Sequence, residues 1–316
     1  MSIWVSQLTN YPPLYSSNMR NYAISELCYR LPVSLSELNI DKILASGQVF
    51  RWRKSGETWF GVTGSRLFVL RQDSTAVHYT WHDMGDSNKG EGSKEDPISK
   101  EEEVREQLSD FFNLNIKVSE LTGAWSTDRH LTSLLGEHAG LRLIRNDPYE
   151  CLISFITSAC NNIPRISSLL LALSSLSEAS HSISNTTFHP LPPISIFSLP
   201  GMEDRLRKLG FGYRAKYLVS ALTEVQERGG RDWLMGLREK SLADARMELC
   251  SLAGVGPKVA SCVCLMSLDK HDAVPIDTHI HQVNIFTLIL SYPWLPSRVS
   301  SYSLVTNYLL LRSYPG

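Results

Sequence analysis

The order of apolar and polar positions divides the chain into a strand-rich first part and a helical remainder. Around positions 50–53, 58–62, 67–70 and 77–81 lie short runs rich in aromatic and β-branched residues, separated by turn formers. Such runs favour strands, and their close spacing predicts an antiparallel sheet of hairpins. From about residue 101 the pattern turns helical. Asp147-Pro148 has the form of a helix start, an acid at the cap followed by proline in the first turn. Further helices are predicted over 202–208, 215–227, 232–239, 242–252 and 257–268, with a Pro- and Ser-rich connection near 189–200. Strands first and helices afterwards define an α+β chain.

The predicted organisation is a leader over residues 1–24, an N-terminal antiparallel sheet domain over 25–143, a helical domain over 144–283 and a divergent tail over 284–316. An acidic loop is expected at 83–106, and a tight hairpin at 252–260. The leader carries one Arg, several Ser and no acid, and is read as an unstructured segment rather than a transit peptide. The tail contains no Asp, Glu or Lys and only two Arg.

Composition narrows the picture. A chain of 316 residues has room for two or three cores. It is 43% hydrophobic and 20% charged, and no apolar run reaches transmembrane length. Six cysteines without a scaffold rhythm point to a reducing compartment. The net charge of −1 does not advertise a polyanion partner, but residues 83–106 hold nine acids and four bases. That stretch carries −5, which leaves +4 on the rest, a modest excess compatible with DNA binding.

The chemistry concentrates in Leu252-Ala253-Gly254-Val255-Gly256-Pro257-Lys258. Gly254 and Gly256 allow a tight turn and close backbone approach, and Pro257 suits the first position of a helix. The exposed N–H groups of such a turn form a seat for phosphate. Lys258 falls in the first helical turn, where it is either an amine nucleophile or a phosphate-gripping cation. Asp277, nineteen positions on, is within chain reach of the hairpin. It could stabilise cationic sugar character in a transition state or cap the next helix. Cys262, Cys264, His279 and His281 lack the usual zinc spacing, so no metal is expected.

Four ordered blocks carry a family resemblance. They are Ser46-Gly47-Gln48-Val49-Phe50-Arg51-Trp52-Arg53, the stretch from Ser154 to Arg165, Leu206 to Tyr217, and Gly254 to Asp277. Together they resemble the 8-oxoguanine DNA glycosylases of the helix–hairpin–helix superfamily, over roughly residues 25–283. The resemblance implies a bifunctional glycosylase/AP lyase that removes 8-oxoguanine opposite cytosine from damaged double-stranded DNA, without a cofactor. Lys258 would attack C1′ and form a Schiff base, assisted by Asp277. Gly47, Cys262 and Pro275 would line the base pocket. Asn161, Asn162, Arg165, Tyr213, Arg214, Gly254, Gly256 and His279 would contact DNA, with Tyr213 as a wedge and both arginines reading cytosine. A monomer acting in the nucleus, with the mitochondrion as a second destination, is expected.

The sequence departs from the family in two places. Cys160 stands where the family has the first of three asparagines. The tail lacks the family's C-terminal helix over the pocket, and its composition invites the reading of a retained intron or frameshift. Two further readings are therefore carried: a lysine glycosylase for another oxidised purine, and a catalytically impaired DNA-binding protein.

Overall fold

The computed structural model describes residues 19–84, 97–125 and 138–277. Five strands, β1 (Tyr29–Pro32), β2 (Arg53–Ser55), β3 (Thr58–Thr63), β4 (Arg66–Gln72) and β5 (Ala76–Asp83), form an antiparallel sheet in the order β1-β5-β4-β3-β2. A short helix α1 (Ile40–Leu44) intervenes, and α2 (Pro97–Phe111) and α3 (Val118–Trp125) follow the sheet. The helical part comprises α4 (Pro148–Ser158), α5 (Ile163–Ser174), α6 (Met202–Lys208), α7 (Arg214–Glu227), α8 (Gly230–Gly236), α9 (Leu242–Cys250) and α10 (Pro257–Ser267). Between α5 and α6 a small hairpin, β6 (His181–Ile183) and β7 (Thr186–Phe188), interrupts the helices. Among the described residues no helix is long and apolar enough to cross a membrane.

Period-two alternation explains why the sheet is covered on both faces. On β4, Phe68 and Leu70 join one apolar cluster with Ile43 of α1 and Leu108 of α2. Leu67 and Val69 join another with Phe188 of β7 and Met19. A third cluster, containing Phe155, Leu170, Leu222 and Val259, is the core of the helical body. Arg51 ties this body to the sheet: its Nε and Nη2 donate to Glu150 of α4 at 3.0 and 2.7 Å. It also donates to Val62 O, Ser174 Oγ and His189 O, so the buried guanidinium is saturated.

Several expectations need correction. Phe50–Trp52 precede β2 rather than belonging to it, and β1 was not anticipated. Residues 97–106 of the expected acidic loop lie in α2. There Glu103 pairs with Arg66 of β4, so the acids decorate a helix whose Val104 and Leu108 are buried. Residues 19–24, assigned to the leader, are part of the fold: Met19 is buried, and its carbonyl accepts from Ser55. The predicted helix over 232–239 starts at Gly230 and tightens into a 3₁₀ turn at Leu237–Glu239. The β6–β7 hairpin lies inside the segment expected to be helical and packs on the sheet.

Two compact units are delimited, Met1–Ala273 and Val274–Gly316. Of the second, Val274–Asp277 are described. Pro275 and Asp277 lie in this short segment, whereas His279 and the tail lie outside the described residues, as does the expected leader up to residue 18.

Candidate active site and nucleic-acid interface

The turn between α9 and α10 is built as its sequence requires. Val255 N donates to Leu252 O, and Gly254 adopts φ +77°. A Cβ at Gly254 would stand 2.6 Å from Tyr217 Cβ of α7, so both backbone conformation and close approach demand glycine there. Gly256 is the N-cap of α10, with Pro257 at the first position and no capping side chain. The first-turn N–H groups of Lys258 and Val259 therefore have no partner within the helix and remain available to an anion.

Lys258 projects from this turn toward the end of α4. Its Nζ lies 5.0 Å from the centroid of the Phe155 ring, and 3.4 Å from Ser158 Oγ. Ser158 Oγ itself donates to Phe155 O at 2.8 Å, which leaves a lone pair for the ammonium or a proton acceptor for the amine. Phe155 and Ser158 are three apart on one helix, so one ridge supplies both the ring and the hydroxyl. Phe50 packs edge-on against Phe155 at 5.9 Å. Among the described residues, no carboxylate forms an ion pair with Lys258.

Gly47 lies against the start of α5. It has φ +77°, and a Cβ there would meet Ile163 Cδ1 of α5 at 3.4 Å. The turn is fixed by Gln48, whose side chain bridges Arg142 O and Ile144 N. Cys262 follows Lys258 by one turn of α10 and is 2% exposed, within the core.

The loop joining α4 to α5 gathers the expected DNA-contacting residues. Asn161 Nδ2 donates to Thr157 O, and Asn162 caps α5 by accepting from Arg165 N at 3.0 Å. Arg165 is exposed. Tyr213, half exposed, donates its hydroxyl to Ala159 O at 3.3 Å and meets Tyr217 edge-on at 6.0 Å. Arg214 turns toward the same loop. It is 4% exposed, and its guanidinium donates to Ala159 O and Cys160 O while lying over Tyr213 at 4.6 Å. Its Nε and Nη2 are thus both directed at loop carbonyls. Cys160 sits at φ +48°, a left-handed conformation that costs a thiol-bearing residue more than an asparagine.

The sequence pattern gives no role to Ser158 or Tyr217, although both lie inside the blocks that carry the family resemblance. Their partners lie 100 residues away on α10 and 37 residues away on the hairpin, and no local pattern reports such pairings.

A strand-rich N-terminal part, a helical body and a glycine turn that presents a lysine together define the helix–hairpin–helix glycosylase architecture. Residues 30–152 match the family described as 8-oxoguanine DNA glycosylase, N-terminal domain. The chain is 38% identical over 260 residues to N-glycosylase/DNA lyase OGG1 of Arabidopsis thaliana, covering 81% of this chain and 67% of that protein. It is 30% identical over 273 residues to the N-glycosylase/DNA lyase of Saccharomyces cerevisiae, covering 80% and 69%. In fold it is similar to Clostridium acetobutylicum 8-oxoguanine glycosylase/lyase, solved with double-stranded DNA containing cytosine opposite 8-oxoG. That likeness has a TM-score of 0.68 at 23% identity and covers 84% of this chain and 82% of that one. The chain belongs to the N-glycosylase/DNA lyase family, and is thus a DNA glycosylase with AP lyase activity.

Proposed function

We propose that the enzyme excises 8-oxoguanine paired with cytosine in duplex DNA, with the Lys258 amine as nucleophile, and that it works as a monomer in the nucleus. The observation that carries this reading is the position of Lys258, one residue after the proline of a glycine hairpin, with Nζ beside Ser158 Oγ and over the Phe155 ring. Because C1′ is shielded inside the duplex, the damaged nucleotide must first leave the stack, and in this reading Tyr213 wedges into the stack. The neutral amine donates its lone pair to C1′, and the C1′–N9 bonding pair leaves with the base, which takes up a proton. Opening of the sugar then gives a C1′=Nζ Schiff base. Loss of a C2′ proton drives out the 3′ phosphate by β-elimination, and water later frees the lysine. In the same reading Asp277 stabilises the cationic sugar and Gly47 O accepts the N7–H that distinguishes the oxidised base. Pro275 and Cys262 line the pocket, and His279 meets a phosphate.

Borohydride trapping tests the proposal. The intact protein should form a covalent adduct with a duplex carrying 8-oxoguanine, and Lys258→Gln should bind that duplex yet form none. Duplex binding without any adduct from the intact protein would reassign it to an impaired binder. An adduct from Lys258→Gln would move the nucleophile elsewhere. Faster turnover on another oxidised purine would correct the substrate alone.

A further inference from the structure

A small, partly open cleft lies between β2, the C-terminal end of α5 and the β6–β7 hairpin. Arg51 and Arg53 both line it, and their situations are opposite. Arg51 spends its donors on Glu150, two carbonyls and Ser174. Arg53 has neither hydrogen bond nor ion pair among the described residues. Its Nε is sealed from solvent without a partner, and its guanidinium lies 5.3 Å over the Phe188 ring. Only the Nε is sealed in this way; the terminal nitrogens are not, and the residue itself lines the cleft. Burial without a nearby acid holds this guanidinium below the usual arginine range.

A half-buried cation that folding leaves uncompensated is expensive unless an anion joins it. The cleft offers what such an anion needs. The planar fork of Arg53 presents parallel N–H donors matched to an oxyanion, and Phe188 fixes the plane of the fork. Thr187 Oγ1 shares a hydrogen bond with Ser182 Oγ in which either can donate, so its own proton can turn to a ligand. Among the described residues no acidic side chain lines the cleft. We infer that this cleft is an oxyanion site for a single phosphate group, held by Arg53 with Thr187, and separate from the lysine centre. The separation follows from α5: Ser174 lines the cleft at one end, and the capping Asn162 of the DNA-facing loop lies at the other, roughly 18 Å away along a twelve-residue helix. The phosphate can come free from solution or from duplex backbone that runs past the lesion.

The test follows the Nε–H resonance of Arg53 in the full-length, arginine-labelled protein, assigned by its loss in both Arg53→Gln and Arg53→Lys. Inorganic phosphate should shift this resonance saturably, and should raise the thermal midpoint once it exceeds its Kd about tenfold. Arg53→Gln should weaken that phosphate response by ~10-fold or more, as expected for losing charge-assisted hydrogen bonds. Short and long duplexes then separate the two sources. Weaker binding of only the long duplex by Arg53→Gln identifies backbone phosphate, and unchanged binding of both identifies the free ion. A resonance that neither phosphate nor either duplex moves, or a phosphate response intact in Arg53→Gln, overturns the site.

Discussion

Lys258 Nζ and Ser158 Oγ lie 3.4 Å apart across the junction of α10 and α4, and Ser158 is oriented by its own bond to Phe155 O. The amine is thereby held by a group that accepts without neutralising it. Removing the hydroxyl in Ser158→Ala leaves the ring contact and frees Nζ to wander. A hydrogen bond of this kind contributes about 0.5–1.5 kcal/mol, so single-turnover base release should slow by roughly 2- to 10-fold. Duplex affinity should stay put. Equal loss in Kd and rate would mean that Ser158 merely supports the fold.

Arg51 and Glu150 form a two-pronged ion pair whose side chains are 3% and 7% exposed. Breaking such a pair strands the other charge in the interior. Arg51→Met or Glu150→Gln should each lower the unfolding free energy by about 3–5 kcal/mol in urea titration. The double variant Arg51→Met/Glu150→Leu should recover part of that loss, because no lone charge remains. A double variant as unstable as the sum of the singles would deny the coupling.

The two hairpin glycines should behave differently. Gly254→Ala puts a methyl group 2.6 Å from Tyr217 Cβ at φ +77°, which combines left-handed strain with overpacking. A loss of at least ~2 kcal/mol is expected. Gly256 has φ −90° and ψ 178°, extended backbone that alanine adopts, and nothing lies within 4 Å of an added Cβ. Gly256→Ala should therefore fold with stability unchanged to within about 1 kcal/mol. Thermal denaturation of the pair decides it, and comparable losses would refute the geometric account.

How much of this was written in the sequence depends on the range of the interaction. The alternation Leu67-Phe68-Val69-Leu70 is local, and it placed β4 between two apolar clusters. The Asp147 cap, which accepts from Glu150 N, and the proline at the start of α10 are equally local. The strand β1 is only four residues long and ends in proline, so its pairing with β5 rather than its composition makes it a strand. Helix α2 was masked by its acids, because three of them are consecutive and the apolar stripe of Val104 and Leu108 is narrow. At the site, the turn and its lysine were legible. The inward fold of Arg214 was not, since it depends on carbonyls 54 and 55 residues away.

His82 at the end of β5 stacks on His181 of β6 at 4.2 Å and 18°. Burial, and then the neighbouring His181, hold the His82 pKa below its ordinary value of 6.5, with Asp83 opposing. In the window below pH 6.5 the unfolded chain therefore binds more protons at this position than the folded chain does. The contribution is complete above that pH and is lost as pH falls through the lowered folded value. For one group the slope cannot exceed about 1.4 kcal/mol per pH unit. Urea midpoints between about pH 5 and about pH 7.5 should fall less steeply toward acid in His82→Phe than in the parent protein. Identical slopes would remove His82 from the account.

Cys160 occupies a left-handed position (φ +48°) at the point where Arg214 grips the loop through its carbonyl. Asparagine tolerates this conformation better than cysteine, because its short amide can bond locally. Cys160→Asn should therefore raise stability by about 0.5–1 kcal/mol, seen as ~1–3 °C in the thermal midpoint. The thiol is also a poor hydrogen-bonding group for the strand left behind when a nucleotide is extruded, whereas an amide both donates and accepts. The same substitution should widen the ratio of excision rates with cytosine and with adenine opposite the lesion. A stabilised variant whose ratio does not move would confine position 160 to backbone conformation.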